Sequence, residues 1–284
     1  KVVTPEQMRL IEHQSESAGV CTKTLMANAG LAVAKQVRRH LHEIADLRVV
    51  ILIGPGNNGG DGLISAHYLQ LWGSNVITYL CTDRCEDDTN LSQVRKGDSR
   101  PVKATEDPGL EQLQEALGSA DVVLDAVLGT GRSRPLSGLI KDIFETLAIA
   151  RENSRKLWLF AIDLPTGLNA DTGEVDEMCT PTDITIALGH PKVGLFEFPG
   201  ASYTGRVETV DIGLPKRLDK NVHLGLMTPE WAASSLPRRP VSGHKGTFGR
   251  TLIVAGSREF IGAAHLAATA AGRVGAGLVT LATP

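Results

Sequence analysis

Residues 47–61 read LRVVILIGPGNNGGD, and this stretch constrains the fold more than any other. Val49, Val50, Ile51, Leu52 and Ile53 are apolar without alternation. That is the pattern of a strand covered on both faces in a parallel α/β sheet. Gly54, Gly56, Gly59, Gly60 and Gly62 follow at once. Glycine lets a backbone turn sharply and lets a ligand come close to it. Residues 63–72 then predict a helix that stops at Gly73. A helix placed there aims free N–H groups into the loop, where they attract negative or oxygen-rich groups.

Gly54-x-Gly56-x-x-Gly59 fits the dinucleotide fingerprint in its required strand–loop–helix context. Asp83 lies after the next apolar run, where a ribose-binding acid belongs. The plain reading is an NAD-dependent dehydrogenase. Two details weigh against it. Asn57 and Asn58 add side-chain amides, and Asp61 puts a carboxylate at the expected helix start, where it would cap N–H groups and compete with a pyrophosphate. A cap alone is an equal reading of Asp61 by itself. The whole string NNGGDG is a costly way to make an ordinary turn. GPGNNGGDGLISAHYL resembles the signature loop of the NAD(P)HX epimerase family, the YjeF N-terminal domain, whose members act on hydrated, damaged nicotinamide cofactors.

The net charge of −3 gives no electrostatic case for nucleic acid or an anionic membrane. No apolar run reaches the roughly 18 residues of a membrane span, and no signal-peptide pattern opens the chain. Lys1 in place of Met implies residues upstream. Cys21, Cys81, Cys85 and Cys179 form no disulfide framework, and Cys81 with Cys85 alone is no zinc site. Reduced cytosolic thiols are the simpler reading.

Residues 4–45 predict two helices, the first opened by a Thr4–Gln7 capping box. Met26, Gly30, Val33, Val37, Leu41 and Ile44 mark one face of the second. Within it TLMANAG resembles the family pattern, with Ala27 where an acid is common. A strand is expected over 75–80, a surface helix or loop over 83–100, and a helix over 110–117 ended by Gly118. DVVLDAVLG at 121–129 is another buried run, interrupted by Asp125. An acid there needs a partner or a metal; a hydrogen-bonded core carboxylate is the plain alternative.

Gly129, Thr130, Gly131, Arg132, Ser133, Arg134 and Pro135 follow that strand. Pro135 suits a helix first turn, and 136–149 reads as an amphipathic helix. The two arginines suit phosphate recognition, or else line a solvated loop. A third strand over 157–162 ends in DLPTGLNADTGE, which resembles the family's second signature through Asp163, Pro165 and Thr166; an Asx-type turn is the alternative. Strands are expected over 183–188 and 207–210, and GHPKVGLF between them carries Lys192, placed like a lysine common in the family or else solvated. A parallel sheet would bring the three loops to one rim, outside the carboxyl ends of its strands.

A proline-rich stretch follows, and then a strand over 251–255 and a small-residue helix over 262–274. These resemble the opening of an ADP- or ATP-dependent NAD(P)HX dehydratase. The expected fold is α/β: a Rossmann-like three-layer αβα mostly parallel sheet, then the incomplete start of a ribokinase-like α/β domain. The expected divisions are 1–215, a linker over 216–243, and 244–284. The resemblance implies epimerisation of the R and S forms of hydrated NADH or NADPH at ring carbon 6. It implies Asp163 as the proton-transfer carboxyl, with Lys192 as the next catalytic candidate. It implies substrate contacts from Asn57, Asn58, Gly59, Gly60, Asp61, the stretch Gly129 to Pro135, and Asp163. It implies a potassium ion held by Asn58, Asp125 and Thr166. ADP or ATP with magnesium would serve only a complete dehydratase domain. The remaining expectations are a small-molecule partner, a homo-oligomer, a cytoplasmic setting, and a natural chain that continues past Pro284 and is bifunctional. A non-catalytic nucleotide-binding scaffold is the rival, disfavoured by the intact acids of both signatures.

Overall fold

The computed structural model describes the chain except residues 86–87, 96–100, 132–134 and 155. Helices α1 (Pro5–Ser17) and α2 (Thr22–Leu41) lead into β1 (Arg48–Ile53), α3 (Asn57–Leu71) and β2 (Asn75–Leu80). Then come α4 (Thr89–Arg95), β3 (Val102–Lys103), α5 (Glu111–Ser119), β4 (Val122–Ala126), α6 (Leu139–Asn153), β5 (Trp158–Ile162), β6 (Ile184–Leu188) and β7 (Arg206–Val210). The seven strands form one sheet in the order β3-β2-β1-β4-β5-β6-β7, every pairing parallel. This is the doubly wound order, and it reverses direction between β1 and β4.

The lack of alternation in β1 has the expected cause. Val49, Ile51 and Ile53 pack with α2 and α3 residues such as Val33, Val37 and Leu63. Val50 and Leu52 face the other layer, with Leu113 and Leu117 of α5 and Phe144 and Leu147 of α6. Each side of the sheet is covered, so β1 has no wet face to mark with polar residues.

Several boundaries differ from the sequence expectation. α3 begins at Asn57 with Gly56 as its N-cap and no side-chain capping bond, so Asp61 lies inside the helix and caps nothing. The glycines argued for a loop because each costs about 1 kcal/mol in a helix. Close packing overrides that cost: a Cβ on Gly59 would sit 2.1 Å from the Gly54 carbonyl oxygen, and one on Gly62 2.6 Å from Ala126 Cβ. Pro135 is exposed and does not open a helix; α6 starts after Gly138, whose φ is +56°. Gly118 lies within α5, and the short edge strand β3 carried no readable signal. The Thr4–Gln7 capping box forms as expected, with Gln7 N donating to Thr4 Oγ1 at 3.1 Å and Thr4 N donating to Gln7 Oε1 at 2.9 Å.

The chain divides into two compact units, Lys1–Leu226 and Met227–Pro284. The first runs beyond residue 215 because its tail packs on its own start: Val2 N donates to Leu224 O at 3.0 Å, and Val222 is buried. The second holds α7 (Pro229–Ser235), the parallel pair β8 (Arg250–Val254) and β9 (Leu278–Ala282), and α8 (Gly262–Val274). Among the described residues no helix is long and apolar enough to cross a membrane.

Candidate active site

The reversal of strand order leaves a crevice between the loops that follow β1 and β4. These loops approach so closely that a Cβ on Gly54 would lie 1.8 Å from the Val127 carbonyl oxygen. Only glycine permits that contact. Arg84 clamps the loop from outside, donating to the carbonyls of Gly54 and Gly56 while paired with Asp88 at 2.7 Å. Asp83 is exposed, accepts from Thr105 Oγ1 at 3.3 Å and is not among the residues that line the cavity described next.

A cavity of about 400 Å³ opens here. Asn57, Asn58 and Asp61 of α3 line it, with Gly129, Thr130 and Gly131 after β4, Asp163 after β5 and Lys192 after β6. Segments after β1, β4, β5 and β6 thus meet at the carboxyl ends of the strands; the sequence suggested the first three, and Lys192 adds the fourth. Gly59 and Gly60 do not line the cavity. They let α3 press against Gly54 and against Met26, whose sulfur would be 2.7 Å from a Cβ on Gly60. Pro135 is not among the lining residues, and Arg132, Ser133 and Arg134 lie outside the described residues.

Asp125 lies beneath this surface, 2% exposed, in a hydrogen-bonded knot. Thr166 donates twice to it, from N to Oδ2 at 2.7 Å and from Oγ1 to Oδ1 at 2.7 Å, and Val127 N donates to Oδ1 at 3.2 Å. Burial pushes the Asp125 carboxyl up to about 6, against the pull of the Thr166 hydrogen bonds. The buried acid thus has hydrogen-bonded partners of the kind the sequence required. Leu128 N donates to Thr166 Oγ1 at 3.0 Å, and Asn58 Nδ2 donates to Leu128 O at 3.0 Å, so the knot reaches Asn58. Asn58 Oδ1 is buried and accepts from no described residue.

Lys192 is 1% exposed, so the solvated-lysine reading fails. It pairs with Asp163 Oδ1, which also accepts from Leu188 N at 3.1 Å. Its Nζ donates to Leu188 O at 3.2 Å. A buried ammonium demands such partners. The chain start pins the loop that carries it: Val3 N donates to Pro191 O and Val193 N donates to Val3 O, both at 3.0 Å. Asp163 has φ +67°, a left-handed conformation that few residues other than glycine adopt and in which asparagine and aspartate are enriched.

Two lining residues, Arg9 and Glu12, come from α1 and were missed in the sequence. The signal was present: buried Met8, Ile11 and Ser15 mark the inner face of α1, and Glu12 stands at its edge. Glu12 as a residue is exposed, at the cavity mouth. Partial burial pushes its carboxyl up, Lys192 and Arg9 pull it down, and Asp163 adds to the rise. Asp61 is pushed well above the usual carboxylate range by its burial first, then by the charges of Asp163 and Glu12, with Lys192 opposing.

A doubly wound sheet with an acid-lined cavity at its reversal defines an α/β protein of the ligand-binding kind, its site where such sheets place one. The family model of the YjeF-related protein N-terminus matches residues 22–194, and the chain belongs to that family. It is 40% identical over 292 residues to the bifunctional NAD(P)H-hydrate repair enzyme of Moorella thermoacetica, covering all of this chain and 54% of that one. The corresponding enzyme of Thermofilum pendens is 33% identical over 290 residues, covering all of this chain and 53% of its own. The chain thus spans about half the length of these relatives. The crystal structure of yeast ynu0 shares the fold, with a TM-score of 0.62 and 24% identity over 74% of this chain and 88% of that one.

Proposed function

We propose that the first unit interconverts the R and S forms of hydrated NADH and NADPH at ring carbon 6. The observation that carries this reading is the buried Asp163–Lys192 pair, set in a cavity that the family's signature loop also walls. Family membership and relatives named for NAD(P)H-hydrate repair support it. The chemistry suits the site. Carbon 6 carries a hydroxyl and a ring nitrogen together, so proton donation to the hydroxyl lets water leave as the nitrogen lone pair forms an iminium. Water returning to the other face inverts the centre. A carboxyl able to give and take a proton is required, and Asp163 faces the cavity with Oδ1 held and Oδ2 free of hydrogen bonds from described residues.

The residues fit a potassium ion. Asn58 Oδ1 is a buried acceptor without a donor among the described residues, Leu128 links Asn58 to Thr166 and Asp125, and oxygen is what a hard cation takes. Bound there, the ion would supply fixed positive charge near the cavity floor. A rubidium anomalous peak at these oxygens would support it; a peak elsewhere would defeat it. Residues 244–284, within the second unit, are read as resembling the opening of a dehydratase domain of the kind that uses ADP or ATP with magnesium. The four cysteines stand free, which accords with a cytoplasmic setting; a homo-oligomer is proposed with it.

The test mixes the protein with R-enriched hydrated NADH and follows the isomer ratio. Convergence of the two isomers, faster than without protein, is expected. A ratio that changes only at the uncatalysed rate indicates a scaffold, and a redox change without inversion indicates a dehydrogenase.

A further inference from the structure

Inversion at carbon 6 needs proton traffic on both faces of the ring. The hydroxyl leaves from one face and water enters on the other. One carboxyl fixed beside the leaving group is on the wrong side for the entering water, which is why inverting glycosidases use two carboxyls. Asp163 alone does not meet this need.

The cavity holds a second carboxyl. Asp61 is 7% exposed and lines the cavity from α3, and its carboxylate accepts no hydrogen bond from any described residue. Outside the helix's own backbone ladder, its backbone carbonyl accepts from Ser65 Oγ at 2.8 Å. Nothing structural occupies its side chain, and a buried acid left unpaired is costly to keep. Asp163 differs: it has Lys192 and Leu188 N as partners. The two acids stand on different elements, one on the glycine-loop helix and one after β5.

We propose that Asp61 is a catalytic residue, the acid that delivers a proton to the carbon 6 hydroxyl on one face while Asp163 serves the other. The inference rests on the epimerase reading above. In one direction the Asp61 proton goes to the hydroxyl oxygen, the carbon–oxygen bond breaks, and its electron pair leaves with water. The ring nitrogen lone pair forms the iminium, and Asp61 is left as carboxylate. Water then adds from the other face, the iminium pair returns to nitrogen, and the surplus proton passes to Asp163. Solvent resets both groups, and the reverse reaction exchanges their roles. The groups facing Asp61 favour its acid role: Asp163 and Glu12 are negative, Lys192 alone among its neighbours opposes them, and burial adds to the bias. Paired environments that differ in this way are how carboxyls divide acid from base work.

The experiment compares Asp61→Asn with the wild type in the isomer assay. The amide keeps the shape and lacks the proton, and thermal melting checks the fold. The expected result is a kcat at least tenfold lower, within the ~10²–10⁴ span of a lost acid or base, with KM changed less than threefold. Asp61→Ala should regain part of its rate with added formate, which a purely structural role would not allow. A kcat within tenfold of wild type overturns the assignment and leaves the epimerase reading standing. A loss confined to KM, or no formate rescue of a folded Ala variant, also overturns it. An inert wild type sinks the epimerase reading, and the assignment with it.

Discussion

The two ends of the same sheet handle their acids in opposite ways. At the amino ends Asp121 and Asp183 each meet an arginine close to solvent. Arg48 donates to Asp121 from N, Nε and Nη2 at 2.8–3.0 Å, and Arg151 pairs with Asp183 at 2.6 Å. The Arg48 hydrogen bonds hold the Asp121 carboxyl below its ordinary value. At the carboxyl ends Asp61 and Asp163 are buried, Glu12 stands at the mouth, and Lys192 is the one buried cation facing them among the described residues. Burial there pushes Asp61 up. A fold needs only the first arrangement. The second costs stability, and a cavity of ligand size beside it gives the reason.

The sharpest break in the comparison is Asp163→Asn. Turnover is expected to fall about 10²–10⁴-fold in the isomer assay. Denaturant unfolding should show a loss of about 3–5 kcal/mol, because Lys192 is left buried without its anion. Turnover near wild type would return Asp163 to a structural role. Gly54→Ala comes next. Its Cβ would meet Val127 O at 1.8 Å, so the loops must part, at about 1–3 kcal/mol by chemical denaturation and with a marked loss of turnover. Gly118→Ala, in α5 toward the amino ends, meets nothing within 4 Å. It should gain about 0.5–1 kcal/mol and leave turnover unchanged.

The pH dependence separates the ends further. Asp61 is raised in the folded state, so its contribution to stability is full below about pH 4 and is lost as pH rises through its folded value. Asp61→Asn should melt like wild type at acid pH and increasingly above it toward neutral and alkaline pH. Parallel melting curves across the range would contradict the elevated value. The smallest effect is expected from Arg48→Met. An exposed ion pair contributes little, so Tm should move by about 2 °C or less with turnover intact.

How much of this the sequence showed depends on what kind of residue carried the signal. Apolar runs without alternation in β1 and β4, the second broken only by Asp125, made the parallel sheet legible, because burial on both faces leaves no wet face to mark. The three-loop rim followed from topology. The start of α3 did not, since glycine propensity argues for a loop and the close contacts that need glycine in the helix lie elsewhere in the chain, at Gly54, Met26 and Ala126 of β4. Lys192 was ambiguous for the same reason: its partner Asp163 is distant in sequence, and only the sheet joins them. Glu12 was harder to read: the buried face of α1 marks its edge, but a helix edge looks like any solvated face until something packs opposite it. Arg84 was passed over beside Asp83, since which of two neighbours turns inward is a matter of backbone direction, not composition.

The central claim is that the cavity at the carboxyl ends inverts carbon 6 by releasing and re-adding water. The direct measurement is the conversion of R-enriched hydrated NADH in ¹⁸O-labelled water, with the products resolved by isomer and mass. The expected result is convergence of the isomers, with the newly formed S isomer carrying the heavy oxygen at carbon 6. An isomer ratio moving no faster than without protein, or inversion that keeps the original oxygen, would contradict the account.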